Sequence, residues 1–278
     1  MSHSSSPAEP SPRTAVRGRP PKLDPDRTVT TALALLDETG LDALTMRRLA
    51  EAMGVQAGAL YRYFATKQDL LTAMAERMLA GLADPADGHT TAPMGAGPRA
   101  GATGAAGAAG AAPRAGAAGA GPRARAGAGA GAATDARSRQ DWDAQLATSA
   151  HALRAALLRH RDGARVFAGT HSTGGNTLGF AEAVIGTLRE AGFGSDDAAQ
   201  AMLTLVNFTL GHTLEEQAAL DADGPADAER LRQAVAESAL PHLTATVPVI
   251  TGGDFDAQFA FGLRLLINGL RAQASSST

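Results

Sequence analysis

Residues 28–79 read TVTTALALLDETGLDALTMRRLAEAMGVQAGALYRYFATKQDLLTAMAERML, with apolar side chains recurring three and four residues apart rather than in alternation. Just upstream, Asp24 is placed as an N-cap with Pro25 at the first helical position, and Val29, Ala32, Leu33 and Leu36 form a stripe that stops at Gly40. A first helix is predicted here. Thr45 as N-cap, the Leu49 and Met53 pair and the terminator Gly54 predict a short second helix. After three more residues, 58–64 put Leu60 and Phe64 on one face and Tyr61, Arg62 and Tyr63 largely on the others. Two short helices joined through a glycine turn, the second with polar and aromatic groups facing outward, make a helix-turn-helix. Thr66 followed by Asp69 resembles a capping box and opens a fourth helix over 67–83, through Leu70, Leu71, Met74 and Met78.

Outward from this stretch the composition changes sharply. Between positions 92 and 133, 36 of 42 residues are Gly, Ala or Pro, and the twelve glycines among them argue against a helix despite the alanine content. As a Gly-rich coil this segment would span roughly 35 Å, enough to loop between adjacent helix ends. It reads either as an arm or lid with scattered arginines or as a tolerated insertion. Helical patterns resume over 138–161, 176–191, 195–220, 226–239 and 254–274. A short 244–250 stretch is the one competing strand pattern, and Pro248 breaks it. The fold class expected is all-α, divided into a disordered basic arm (1–23), a helix-turn-helix unit with a connecting helix (24–84), a flexible tether (85–137), a helical C-terminal domain (138–274) and a short tail (275–278).

The chain has 278 residues, no cysteine and a net charge of −3. Without cysteine there is no disulfide framework, thiolate nucleophile or Cys-ligated zinc site. The N-terminus lacks the apolar core of a signal peptide, and no stretch approaches about 18 uninterrupted apolar residues, so a cytoplasmic protein without a membrane partner is expected. The acidic net charge averages over unlike regions. Residues 1–23 alone carry a net +3 from Arg13, Arg17, Arg19 and Lys22 against Glu9, and acidic groups elsewhere are screened beyond about 8–10 Å. Arg17, Arg19 and Lys22 suit an arm following the minor groove or phosphates, although a solvated tail would look the same.

The run from the first helix through Leu79 resembles the DNA-binding domain of TetR-family transcriptional regulators, on the strength of Gly40, Leu44-Thr45, Leu49-Ala50, Gly54-Val55, Leu60-Tyr61-Arg62-Tyr63-Phe64, Lys67 and Leu70-Leu71. The likeness continues beyond the tether. His160-Arg161-Asp162-Gly163-Ala164, Gly169-Thr170, Phe208-Thr209-Leu210-Gly211, Leu214-Glu215-Glu216-Gln217 and Phe261-Gly262-Leu263 are similar to the ligand-binding and dimerisation domain of the tetracycline-repressor branch.

This resemblance implies that Ala57, Gly58, Ala59, Tyr61, Arg62 and Tyr63 occupy recognition positions. The small residues would permit close approach to the major groove, and Arg62 suits a two-point bond to guanine. Tyr61, Tyr63, Thr45, Arg47 and Lys67 suit phosphates, which position without specifying, with partial core packing the other reading for the tyrosines.

In the tetracycline-repressor branch a histidine ligates the drug's magnesium where this chain has Phe167. Ser149, Leu153 and Ala83 likewise replace an asparagine, an aromatic and a histidine, so tetracycline with magnesium is not the expected effector. The expected pocket is mainly apolar, formed by Leu153, Phe167, Phe180, Val184, Met202 and Val206 with Ser149, Thr170, His171, Asn207 and Glu215 as polar anchors, and it suits an aromatic or polycyclic molecule. His212 and Glu215 have a spacing that could hold a metal, but two groups do not make a site, and neither metal nor cofactor is expected. The helices over 195–220 and 254–274 resemble the pair that makes the family's two-fold four-helix dimer interface, with Phe255, Phe259, Leu263, Leu266, Ile267 and Leu270 as the apolar face expected in the homodimer.

The function expected is a ligand-responsive repressor, bound as a homodimer to a palindromic double-stranded operator and released by a small-molecule effector. Two other readings stay open: an activator or regulator without an effector, and a helical enzyme with an attached DNA-binding domain. The enzyme lacks support, because Ser149 has no base and orienter at motif spacing and His171 and His212 lack clear partners.

Overall fold

A computed structural model describes residues 23–82, 141–220 and 224–276, all of whose regular elements are helices. The arm with Arg17, Arg19 and Lys22, position Ala83 and the tether lie outside the described residues. In α1 (Pro25–Thr39) the Asp24 carboxylate accepts from the Asp26 N–H at 3.1 Å, and Thr28, Val29, Ala32, Leu33, Leu35 and Leu36 are buried. For α2 (Met46–Met53) the Thr45 hydroxyl accepts from the Arg48 N–H at 3.1 Å. Gly54 ends α2 at φ 66°, ψ 30°, the left-handed conformation in which a side chain would crowd the backbone. A four-residue α3 (Ala57–Leu60) follows, one residue earlier and shorter than expected, and continues as turns. The Thr66 and Asp69 capping box opens α4 (Lys67–Met78), which stops short of the predicted position 83. Leu36, Leu44, Leu49, Leu60, Leu70 and Met74 are wholly or almost wholly buried and form the core of this unit.

The C-terminal domain comprises α5 (Trp142–Leu158), α6 (Gly163–Ala168), α7 (Gly175–Glu190), α8 (Ser195–Leu220), α9 (Gly224–Ala236), α10 (Pro241–Ile250) and α11 (Phe255–Ser276). The helix α6 has no counterpart in the sequence reading, because six residues carry too little periodicity to register. The 244–250 strand pattern belongs to helical α10, with Pro248 inside it and Pro241 in its first turn. A strand needs a neighbour to take its backbone hydrogen bonds, and none exists among the described residues, whereas a helix closes those bonds locally.

Helices α5, α7, α8 and α11 pack around a core into which α5 contributes Leu146, Ala150, Leu153 and Leu157, and α8 contributes Ala198, Ala201 and Leu205. Trp142 meets Phe193 edge to face at 5.4 Å. Where α8 crosses α11, Phe208 stacks on Phe259 at 5.3 Å, and a Cβ on Gly262 would lie 2.5 Å from the Phe208 ring. Gly262 is therefore a close-approach residue.

A charge centre ties α5, α8 and α11 together. Arg154 on α5 donates Nε and Nη2 to the two Glu216 carboxylate oxygens at 2.8 and 2.7 Å, donates Nη1 to Asp256 at 2.7 Å, and lies 5.1 Å from the Phe259 ring centre. His212 Nε2 stands 3.1 Å from the Phe255 carbonyl and 3.9 Å from Glu216. Burial, reinforced by the nearby Arg154 guanidinium, holds the His212 imidazole below its ordinary pKa, and the neutral ring suits donation to that carbonyl.

Gly262→Ala forces the Phe208 ring aside in a packed crossing and should cost about 1–3 kcal/mol, read from the urea midpoint at unchanged slope. Glu216→Ala strands a buried guanidinium and should cost about 3 kcal/mol or more. Asp256→Ala, at an exposed partner, should stay within about 1 kcal/mol.

Candidate nucleic-acid interface and effector domain

Leu60 and Phe64 are buried, and this anchor leaves Tyr61 50% and Tyr63 42% exposed, with Arg62 exposed between them. The tyrosine rings are thus not spent on core packing. Gly58 is exposed, with nothing within 4 Å of where a Cβ would stand, while Ala57 and Ala59 are half-buried. One flank is formed by Thr45, whose hydroxyl is occupied in capping α2, and by Arg47, whose exposed guanidinium pairs with Glu51 at 3.0 Å. Lys67 is half-buried and donates Nζ to the Leu41 carbonyl at 3.2 Å, at the corner between α1 and α2.

The expected pocket residues fall into three environments. Leu153, Phe180 and Val184 are buried in the protomer core; Ser149, Phe167, Thr170, Met202 and Val206 are half-buried; His171, Asn207 and Glu215 are exposed. Thr170 spends its hydroxyl on the Phe167 carbonyl at 2.9 Å. The carboxylate beside His212 is Glu216, one turn on, rather than Glu215, because four-residue spacing puts 212 and 216 on the inner face of α8.

A groove of about 250 Å³ lies elsewhere, between α8 and α11, lined by Ala201, Thr204, Leu205, Leu265, Leu266 and Leu270 among others. The residues of the expected dimer face divide between two sides of α11. Phe259, Leu263 and Ile267 are buried inside the protomer, because they form the face of α11 that packs on α5 and α8. Leu266, Leu270 and Phe255 are half-buried, and the outward apolar positions are Phe261 and Leu265 on α11 with Leu203 on α8. α11 is apolar on two faces, and the expected set draws on both, Phe259, Leu263 and Ile267 on the inner one and Leu266 and Leu270 on the one that lines the groove.

Between the two units runs a polar seam that sequence reasoning missed. Asp37 on α1 accepts from the Arg161 N–H at 2.9 Å and faces His160 Nδ1 at 3.0 Å. Asp162 accepts from the Leu41 N–H at 2.8 Å, and Arg165 bridges Asp162 and Asp42 at 2.8 and 3.1 Å. Along α4, Gln68 donates to the Gly169 carbonyl at 2.6 Å, and Arg159 donates to the Met78 carbonyl at 3.2 Å. Toward the end of α4, Glu76 meets the start of α7. These partners lie about a hundred residues apart in the chain, and no local pattern links them.

No helix among the described residues is long and apolar enough to cross a membrane. Residues 29–74 match the family model described as bacterial regulatory proteins, tetR family, and residues 136–274 match the tetracyclin repressor-like C-terminal domain. The chain is similar to the tetracycline repressor protein class A from transposon 1721 of Escherichia coli, at 35% identity over 250 residues that cover 90% of this chain and 91% of that one. Among solved structures, it resembles a possible TetR family transcriptional regulator from Streptomyces coelicolor A3(2), at 55% identity and TM-score 0.67, covering 90% of this chain and 99% of that one. It also resembles the Streptomyces coelicolor TetR family protein ActR in complex with actinorhodin, at 25% identity and TM-score 0.65, covering 91% and 98%. With these matches spanning both units, the chain belongs to the tetR family of bacterial regulatory proteins, DNA-binding regulators rather than enzymes, which generally act as ligand-responsive repressors.

Proposed function

We propose that this protein is a repressor that binds a palindromic operator as a homodimer and is released by an aromatic or polycyclic small molecule. The observation that carries the reading is the outward presentation of Tyr61, Arg62 and Tyr63 on a turn whose Leu60 and Phe64 are locked into the core. Such an element can enter a major groove without unfolding its own support. Arg62 reads a guanine edge; the tyrosine hydroxyls and Arg47 hold phosphates.

One such element reads one half-site, so a two-fold pair is needed for a palindrome. The surface that suits the pairing is the groove between α8 and α11 with its exposed Leu203, Phe261 and Leu265. The effector class follows from the apolar character of Leu153, Phe167, Phe180, Val184, Met202 and Val206, and is supported by the actinorhodin complex of the similar ActR. With Phe167 where the tetracycline-repressor branch carries its magnesium-ligating histidine, tetracycline with magnesium does not fit this chain.

The test is a fluorescence-anisotropy titration of the full chain with its own promoter DNA. Sequence-specific binding that weakens steeply with salt is expected, and its absence overturns the reading. Arg62→Ala should weaken operator binding by roughly 5- to 100-fold and relax the preference at one base pair per half-site. Arg47→Ala should weaken all sequences alike and lower the salt slope by about one. Leu265→Asp should shift the protein to monomer in sedimentation at an unchanged helical spectrum, with loss of operator affinity.

A further inference from the structure

The first turn of α7 has no cap of its own. Its N-cap position is Gly174, which offers no side chain to the free N–H groups of the helix start. The missing acceptor comes from another helix, some hundred residues earlier in the chain. The Glu76 carboxylate on α4 accepts from the Asn176 N–H at 3.0 Å, the Thr177 N–H at 3.2 Å, the Ser172 hydroxyl at 2.5 Å and the Thr177 hydroxyl. In return, Asn176 Nδ2 donates to the Glu76 backbone carbonyl at 2.8 Å. A negative charge at a helix N-terminus is stabilising, and the hydrogen bonds to it are charge-assisted.

Gly174 contributes a second, steric observation. A Cβ built there would overlap the Glu76 carboxylate, so the glycine both removes the local cap and makes room for the distant one. The beginning of α7 cannot shift along α4 without uncovering its own N–H groups and a carboxylate together.

We propose that Glu76 is the coupling residue of this regulator, a positioning group through which any displacement of α7 is imposed on α4. The proposal rests on the effector-responsive reading above. α7 carries Phe180 and Val184 of the expected pocket, while α4 buries Leu70 and Met74 in the DNA-binding unit and holds Leu41 through Lys67. Glu76 joins the two helices at one point. A helix displaced by a ligand therefore moves the recognition turn instead of sliding past it.

The chain has no cysteine, so Ala52→Cys on α2 and Glu182→Cys on α7, both exposed positions, give a clean pair of nitroxide labels. Pulsed dipolar spectroscopy on the full chain, diluted with unlabelled protein and free of DNA and effector, reads the distance between the two units. The labelled parent should give one narrow distribution. Glu76→Ala and Gly174→Ala should each broaden it about two-fold or more, and Glu76→Gln, which keeps a neutral acceptor, should fall between.

A parent-like distribution in both Glu76→Ala and Gly174→Ala overturns the proposal, even if thermal stability drops, because that combination assigns Glu76 a purely structural role. Gly174→Ala removes no charged or polar group and keeps the test readable if Glu76→Ala does not fold. Promoter binding by the same proteins is measured in parallel. Failure of the labelled parent to bind promoter DNA counts against the repressor reading, while the distance measurement still decides the role of Glu76.

Discussion

Asp162 holds a backbone conformation, φ 56°, that residues other than glycine seldom adopt, and its carboxylate is tied across the interface to the Leu41 N–H. Burial works against its charge, but the bonds from Leu41 and Arg165 outweigh this and hold the carboxyl below its ordinary pKa. This contact turns the chain out of α5 into α6, and α6 is the element against which α4 rests. The recognition turn stands where it does because α4 stands where it does. Asp162 secures one end of that seam, and Glu76 secures the other.

The physical need for such a seam follows from size. A helix-turn-helix unit of some sixty residues buries a limited core, and units of that size are marginal on their own. Its caps at Asp24, Thr45 and Thr66 stabilise the helices locally, but its buried side chains form one continuous cluster with those of the C-terminal domain. On the proposed reading, stability and communication share the same contacts, and a ligand that rearranged α6 or α7 would act on groups that also support the helix-turn-helix.

The C-terminal domain solves a different problem, how to hold a long α8 against both α5 and α11. Arg154 pairs with the buried Glu216 and, at the bundle surface, with Asp256, and its guanidinium also covers the Phe259 face. The directional bonds select one alignment of the three helices, where apolar packing alone tolerates sliding. α11 is then left with Phe261 and Leu265 facing outward, next to the α8 groove.

Local signals carried much of this protein in the sequence alone. Caps such as Asp24, Thr45 and Thr66, the Gly54 terminator and the spacing of Leu60 and Phe64 act within one or two turns, so the all-α class, the helix-turn-helix and the outward Tyr61, Arg62 and Tyr63 were legible without coordinates. Spacing also showed that α11 is apolar, but not which of its two apolar faces turns inward. That choice, the bond of His212 to the Phe255 carbonyl, the engagement of Lys67 by Leu41 and the capping of α7 by Glu76 came only from the tertiary structure. Each depends on groups brought together across tens to a hundred residues, and helical periodicity records that a face is apolar or polar but not what will be packed against it.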